Sequence, residues 1–243
     1  MIQIQNSLDA RASKKTVRKD TFEGSVTDFI ATHEIRQAGA QAFLVEQLPH
    51  WSTPSHFHLE HQFQVVVAGD GAIGRHPVAP LTVHYAAPET GYGPIQAGPA
   101  GVSYLTLRAT GDTGAWYLHK PGSRERMQKG LKREQQHGEP QDGIRETALS
   151  ALKTSQEQDL ISLREDGLSA KLFRLPAGET LNLPTEKIHG GRFFVITDGV
   201  LESTAGQSPA LSVVHVPPED TLNAKAGAEG VEVLVLQFPS LGT

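Results

Sequence analysis

Five side chains able to hold a metal ion or move a proton fall within seven residues, His56-Phe57-His58-Leu59-Glu60-His61-Gln62. Imidazole with oxygen donors is the ligand chemistry of Fe(II), Mn(II), Ni(II), Cu(II) or Zn(II) when sulfur is absent. Sulfur is absent here, because the chain has no cysteine; disulfides, thiolate ligands and a cysteine nucleophile are excluded together. In an extended strand residues i and i+2 project from one face, so His56 and His58 point together and Phe57 packs opposite. A third donor has to follow the turn. Gln62, Glu60, His61 and His84 all carry donor atoms in that part of the chain. The bland alternative is a solvated strand end whose imidazoles bind nothing.

The elements that must position these residues are short and β-like. Runs at 42–48, 63–69, 81–87 and 102–109 form one set, and runs at 171–176, 192–199, 211–218 and 231–238 form another. Val, Ile, Phe and Tyr fill them, and Gly, Pro, Asp or Asn bound them, as in sandwiches and barrels. One short helix is expected over 146–158. Residues 120–143 are polar and charged, which reads as an exposed linker or connecting helix. The expected organisation is an N-terminal unit over 1–120, a linker over 121–145 and a C-terminal unit over 146–243.

The two sets match each other in order. Gly69 aligns with Gly199, the Val83-His84-Tyr85 run with Val214-His215-Val216, and Gly101 with Gly230, at offsets of 129 to 131 residues. A period this long in an all-β chain means two similar domains rather than a solenoid of small units. Against this background the spacing resembles the cupin superfamily. That family's first motif is His-x-His, three or four residues, Glu, six residues, Gly, and this chain has His56, His58, Gln62 and Gly69 at those places. The second motif has a Pro-x-Gly turn before a further histidine. Here Pro88–Ile95 supplies the turn, while Gly93 and Pro94 stand where the histidine would be.

The resemblance implies an all-β chain of two tandem cupin barrels, double-stranded β-helices of the jelly-roll type, joined by a polar linker. It implies a divalent transition metal (Fe, Mn, Ni, Cu or Zn) held by His56, His58 and Gln62, with Glu60 and His84 as candidate acid/base groups. Tyr92, Tyr104 and His61 would line the pocket. The implied function is a metal-dependent enzyme on a small organic molecule, dioxygenase-, isomerase- or lyase-like. The alternative is a binding or structural bicupin without turnover. In the second copy Glu186, Ile188 and Arg192 take the motif positions, with His189 alone beside them, so that copy is expected to have lost metal chemistry. Arg192 could instead clamp a carboxylate.

Charge and hydropathy exclude other partners. With 22 Lys+Arg against 27 Asp+Glu, the net charge of −5 disfavours nucleic acid. No apolar run approaches the length of a membrane span or a signal core, so a cytoplasmic protein is expected. The cupin resemblance further implies a homodimer formed by exchange of edge strands, for which 26–37 is the candidate segment.

Overall fold

The computed structural model describes residues 1–31, 39–112, 114–183 and 190–240. The chain divides into two compact units, one of Ala10–His137 and one of Met1–Asp9 with Gly138–Thr243. Strand β1 (Gln3–Asn6) belongs to the second unit and is followed by α1 (Ser7–Ala10), the single α-helix among the described residues. The first unit holds β2 (Lys15–Lys19), β3 (Phe22–Ile30), β4 (Gln41–Gln47), β5 (Ser52–Thr53), β6 (His56–Phe57) and β7 (Gln62–Ile73). It continues with β8 (His76–Val78), β9 (Val83–Ala86), β10 (Ile95–Arg108), β11 (Trp116–Tyr117) and β12 (Gln135–Gly138). The second unit holds β13 (Gln156–Ile161), β14 (Ser169–Leu175), β15 (Arg192–Ser203), β16 (Gly206–Pro209), β17 (Ser212–Val216) and β18 (Ala224–Gln237).

The main sheets run β12-β9-β7-β10-β4-β3-β2 and β1-β17-β15-β18-β14-β13. Their central orders correspond strand for strand, β9-β7-β10-β4-β3 with β17-β15-β18-β14-β13. Each order is an open path among the described residues. The glycines agree too. Gly69 and Gly199 share a φ of +72°, and a Cβ would meet Gly101 O at 2.1 Å in one unit and Gly230 O at 2.2 Å in the other. Only glycine tolerates that backbone and that approach.

Alternation explains which side chains go where. On β7 and β10, Phe63, Val65, Leu105 and Leu107 share one face and are fully buried. Burial of each such side chain contributes about 1.5–3 kcal/mol. The opposite face is buried as well, yet it carries Gln62, Gln64, Thr106 and Arg108. In the second unit the corresponding face is mostly apolar, built from Phe194, Ile196, Val214, Val216, Val233 and Val235, with Arg192 and Gln237 at its end. The two units therefore share a fold and differ in what their inner faces offer.

Three expectations change. Residues 146–158 form no α-helix; Leu149–Ala151 make a 3-10 turn and Gln156 onward pairs with β14 as β13. Pairing with a sheet edge outweighs weak helical periodicity. The polar stretch 120–143 contains no connecting helix but supplies β12, tied to the first unit where Arg133 Nη2 meets Glu89 Oε2 at 3.0 Å. Finally, β3 runs to Ile30 between β2 and β4 rather than along an edge; the rest of the segment expected to exchange lies outside the described residues.

Candidate functional site

Residues from β6, β7, β10, β11 and the turn before Pro94 converge on a cavity of about 140 Å³. His56, His58, Gln62, Gln64, Tyr92 and Arg108 form its polar lining, with Tyr104 and Tyr117 beside them. Strand pairing sets the two histidines. Trp116 and Tyr117 pair with Phe57 and His56, while Phe57 stacks on Trp116 with ring centroids 6.3 Å apart. His56 and His58 consequently lie on one side, their ring centroids 5.3 Å apart. Tyr92 bridges back to His56 through both backbone hydrogen bonds, at 3.1 and 3.0 Å.

Each imidazole is oriented from behind. His56 Nδ1 lies 2.8 Å from Pro54 O, a group that can only accept, so this nitrogen carries the proton. His58 Nδ1 lies 2.7 Å from Asp112 Oδ2 in the same sense. Burial, then the neighbouring His58 and Arg108, hold His56 down to about 3. Burial and then Arg108 hold His58 at about 4, against the opposing pull of Asp112. Both rings are neutral at physiological pH, and their Nε2 atoms are acceptors. Burial raises the Tyr92 phenol well above its ordinary value, so it keeps its proton.

The centre of the site is a residue that motif spacing does not single out. Arg108, 2% exposed, ends β10 on the same face as Tyr104 and Thr106. Its Nε and Nη2 donate to Gln62 Oε1 at 3.3 and 3.0 Å, and its Nη1 donates to Gln41 Oε1 at 2.6 Å. Gln62 Nε2 donates to the Tyr92 hydroxyl, which fixes the amide with its oxygen toward the guanidinium. The Arg108 Cζ packs 5.4 Å from the Phe43 ring centroid. Nη2 lies 3.1 and 3.4 Å from the two nitrogens of His58, beside the ring rather than in line with either lone pair.

The residues present do not fit a resident dication. Gln62 Oε1 is occupied by two hydrogen bonds from a permanent cation, and a metal at His58 Nε2 would stand a few ångströms from that cation. Among the described residues no three His, Cys, Asp or Glu side chains converge as metal ligands do. The arrangement suits an anion, with two neutral acceptors alongside.

The remaining sequence candidates separate. Tyr92 and Tyr104 line the cavity. His84 is buried behind it, with Nδ1 2.9 Å from Gln64 Oε1 and its ring 4.8 Å from that of Tyr92. His61 is not in the cavity; its Nδ1 meets the Tyr85 hydroxyl at 2.6 Å on the side of the sheet that carries Phe63. Glu60 sits half-buried in the turn, outside the lining. Glu186, Ile188 and His189 lie outside the described residues. The repeat alignment set His84 against His215, but strand pairing differs by one residue. Gln64 faces His84, whereas Phe194 faces Val214. A one-residue slip reverses the face, and His215 packs at a tilt against Phe193 with centroids 4.8 Å apart.

No protein-family model and no curated protein matches the sequence. Solved structures do. A proposed dioxygenase of Nostoc punctiforme superposes with a TM-score of 0.63 at 10% identity, over 100% of this chain and 84% of that one. An oxalate decarboxylase of Lactobacillus farciminis, solved with formate, gives 0.63 at 13% identity over 98% and 86%. The 11S allergen of Cocos nucifera gives 0.61 at 13% identity over 98% and 89%. The chain has the cupin fold. At these identities the likeness shows the fold alone, and it spans two enzyme names and one allergen. No helix among the described residues is long and apolar enough to cross a membrane.

Proposed function

We propose that this chain is a two-domain cupin whose N-terminal unit binds a small hydroxy-carboxylate without a metal. The observation that carries this reading is the Arg108 guanidinium, buried at the cavity that His56 and His58 line, where its direct hydrogen bonds go to the neutral amides of Gln62 and Gln41 and the charge of Asp112 supports it from beside His58. A buried guanidinium costs several kcal/mol of desolvation, and apolar residues of similar volume would serve packing at least as well. A carboxylate bound bidentately offsets that cost. The two Nε2 acceptors then ask for O–H donors on the same ligand, which selects a hydroxy acid over a plain one.

Isothermal titration with lactate and malate, repeated with their amides, tests the reading. Saturable binding of the acids, absent for the amides and lost in Arg108→Met, supports it. No binding of any acid overturns it. The competing reading is a metal-dependent enzyme on a small organic molecule. It has one observation in its favour: both histidines commit Nδ1 to acceptors, which leaves Nε2 as the nitrogen a metal would take. Elemental analysis of protein purified without chelator separates the two, because stoichiometric transition metal that disappears in the His56→Ala/His58→Ala variant favours the enzyme.

A further inference from the structure

The second unit repeats the arginine–glutamine pair with the partners exchanged. Gln62 on β7 corresponds to Arg192 on β15, and Arg108 on β10 corresponds to Gln237 on β18, by the alignment of Gly69 with Gly199 and Gly101 with Gly230. Arg192 and Gln237 are direct partners in the sheet, and Arg192 Nε donates to Gln237 Oε1 at 2.7 Å. Gln237 Nε2 donates to Gly167 O at 2.7 Å, so this amide too is fixed with its oxygen toward the guanidinium. The pair has been kept while its members changed strands. Packing alone does not ask for that, since a buried guanidinium is costly and an apolar pair would fill the same space.

A cavity of about 280 Å³ opens on this pair, twice the volume of the one beside Arg108. Arg192, Gln237, Ser169 and Lys171 form its polar end. Asp159 lies beside Lys171 in the lining, and Phe173, Val235, Leu163 and Leu183 form the rest. Lys171 reaches it from β14, its Nζ 3.2 Å from Asp159 and 3.4 Å from Glu157. The positions that hold Gln64, His84, Tyr104 and Thr106 in the first unit hold Phe194, Val214, Val233 and Val235 here. The head of a ligand would meet the Arg192–Gln237 pair, with Lys171 already shared with Asp159 and Glu157, and its body would meet mostly hydrocarbon.

The geometry points to a second, independent anion site in the C-terminal unit, selective for a carboxylate on a short hydrocarbon body. It does not rest on the reading of the first unit, and it has its own ligand class. Hexanoate is the probe, with hexanol as the uncharged control, followed by titration calorimetry and methyl NMR on the full chain. Wild-type protein is expected to bind hexanoate saturably at millimolar concentration and to ignore hexanol. Arg192→Met weakens hexanoate about tenfold or more. Leu163→Glu, at a rim position 51% exposed and hence tolerant of substitution, weakens it severalfold by like-charge repulsion. Arg108→Met leaves it unchanged.

If Arg192→Met does not fold, Leu163→Glu decides. The inference is overturned by absence of saturable hexanoate binding, by equal binding of hexanol, or by affinity unchanged in Leu163→Glu. Loss of hexanoate in Arg108→Met overturns it as well. Failure of lactate and malate to bind while hexanoate still binds removes only the proposal for the first unit.

Discussion

Replacing Arg108 with Met removes the charge and keeps much of the volume, and the structure says what each neighbour then does. Gln62 Oε1, which takes hydrogen bonds from Nε and Nη2, loses both donors. Gln41 Oε1 loses its 2.6 Å bond and keeps a longer contact of 3.4 Å from Asp112 N. Loss of these bonds costs about 1–3 kcal/mol at each buried acceptor. Release of the guanidinium's own desolvation penalty offsets part of that, leaving a net loss of about 2–4 kcal/mol at neutral pH. A second consequence is specific to this site. Arg108 is the main charge that depresses His58, and Asp112 is the one that supports its protonation. Without the guanidinium, His58 should rise from about 4 toward its ordinary value. Denaturant unfolding reads the first effect, and ring resonances of ¹⁵N-histidine followed through a pH titration read the second. If His58 in the variant still titrates at about 4 and stability is unchanged, Arg108 does not organise this cavity.

Acid should destabilise the fold earlier than carboxylate protonation alone would. His56, His58 and His84 titrate at about 3, 4 and 3 when folded, below the 6.5 of the unfolded chain, so the unfolded state binds more protons as pH falls. Their contribution is complete above pH 6.5, and roughly 3 kcal/mol of it is lost by about pH 5.5, as urea unfolding at the two values would show; equal midpoints would contradict it. Gly69→Ala forces a side chain into the carbonyl of Gly101 at a φ of +72°, and should cost about 2 kcal/mol or more by thermal unfolding. An unchanged midpoint would mean that the β7–β10 approach is looser than described. Glu232 is 1% exposed and holds Arg145 at 2.7 Å and Arg174 at 3.1 Å, so Glu232→Gln should cost about 3–5 kcal/mol. A loss below about 1 kcal/mol would show the network to be replaceable.

Strand content and duplication were legible because they depend on local pattern. Alternation and bounding glycines placed all eight strands of the two sets within a few residues, apart from β10 and β18, which begin earlier than their apolar runs. The grouping of His56 with His58 followed from the i, i+2 rule. The function of the site was less legible, since motif spacing marks positions and not what fills the space between them. Arg108 carried a signal: it continues the alternation of Tyr104 and Thr106 as a charge at the end of an otherwise buried run. Asp112 carried none, because it lies in a Gly- and Thr-rich loop whose return to His58 is set by tertiary packing. His61 was misplaced toward the cavity because the turn rotates it to the far side of the sheet. The repeat alignment of His84 with His215 failed for a similar reason, since sequence identity does not sense a slip of one residue in strand pairing.

The account stands or falls on the species that His56 and His58 face. The most direct measurement follows the Nε–Hε resonance of Arg108 and the imidazole ring signals of His56 and His58 in labelled wild-type protein. Lactate is titrated first, and Mn(II) is then added in its place. Saturable displacement of the Arg108 signal by lactate, with no site-specific broadening of the two rings by substoichiometric Mn(II), is the predicted result. An Arg108 signal indifferent to lactate, with His56 and His58 broadened by Mn(II), would contradict the account and return the cavity to metal chemistry.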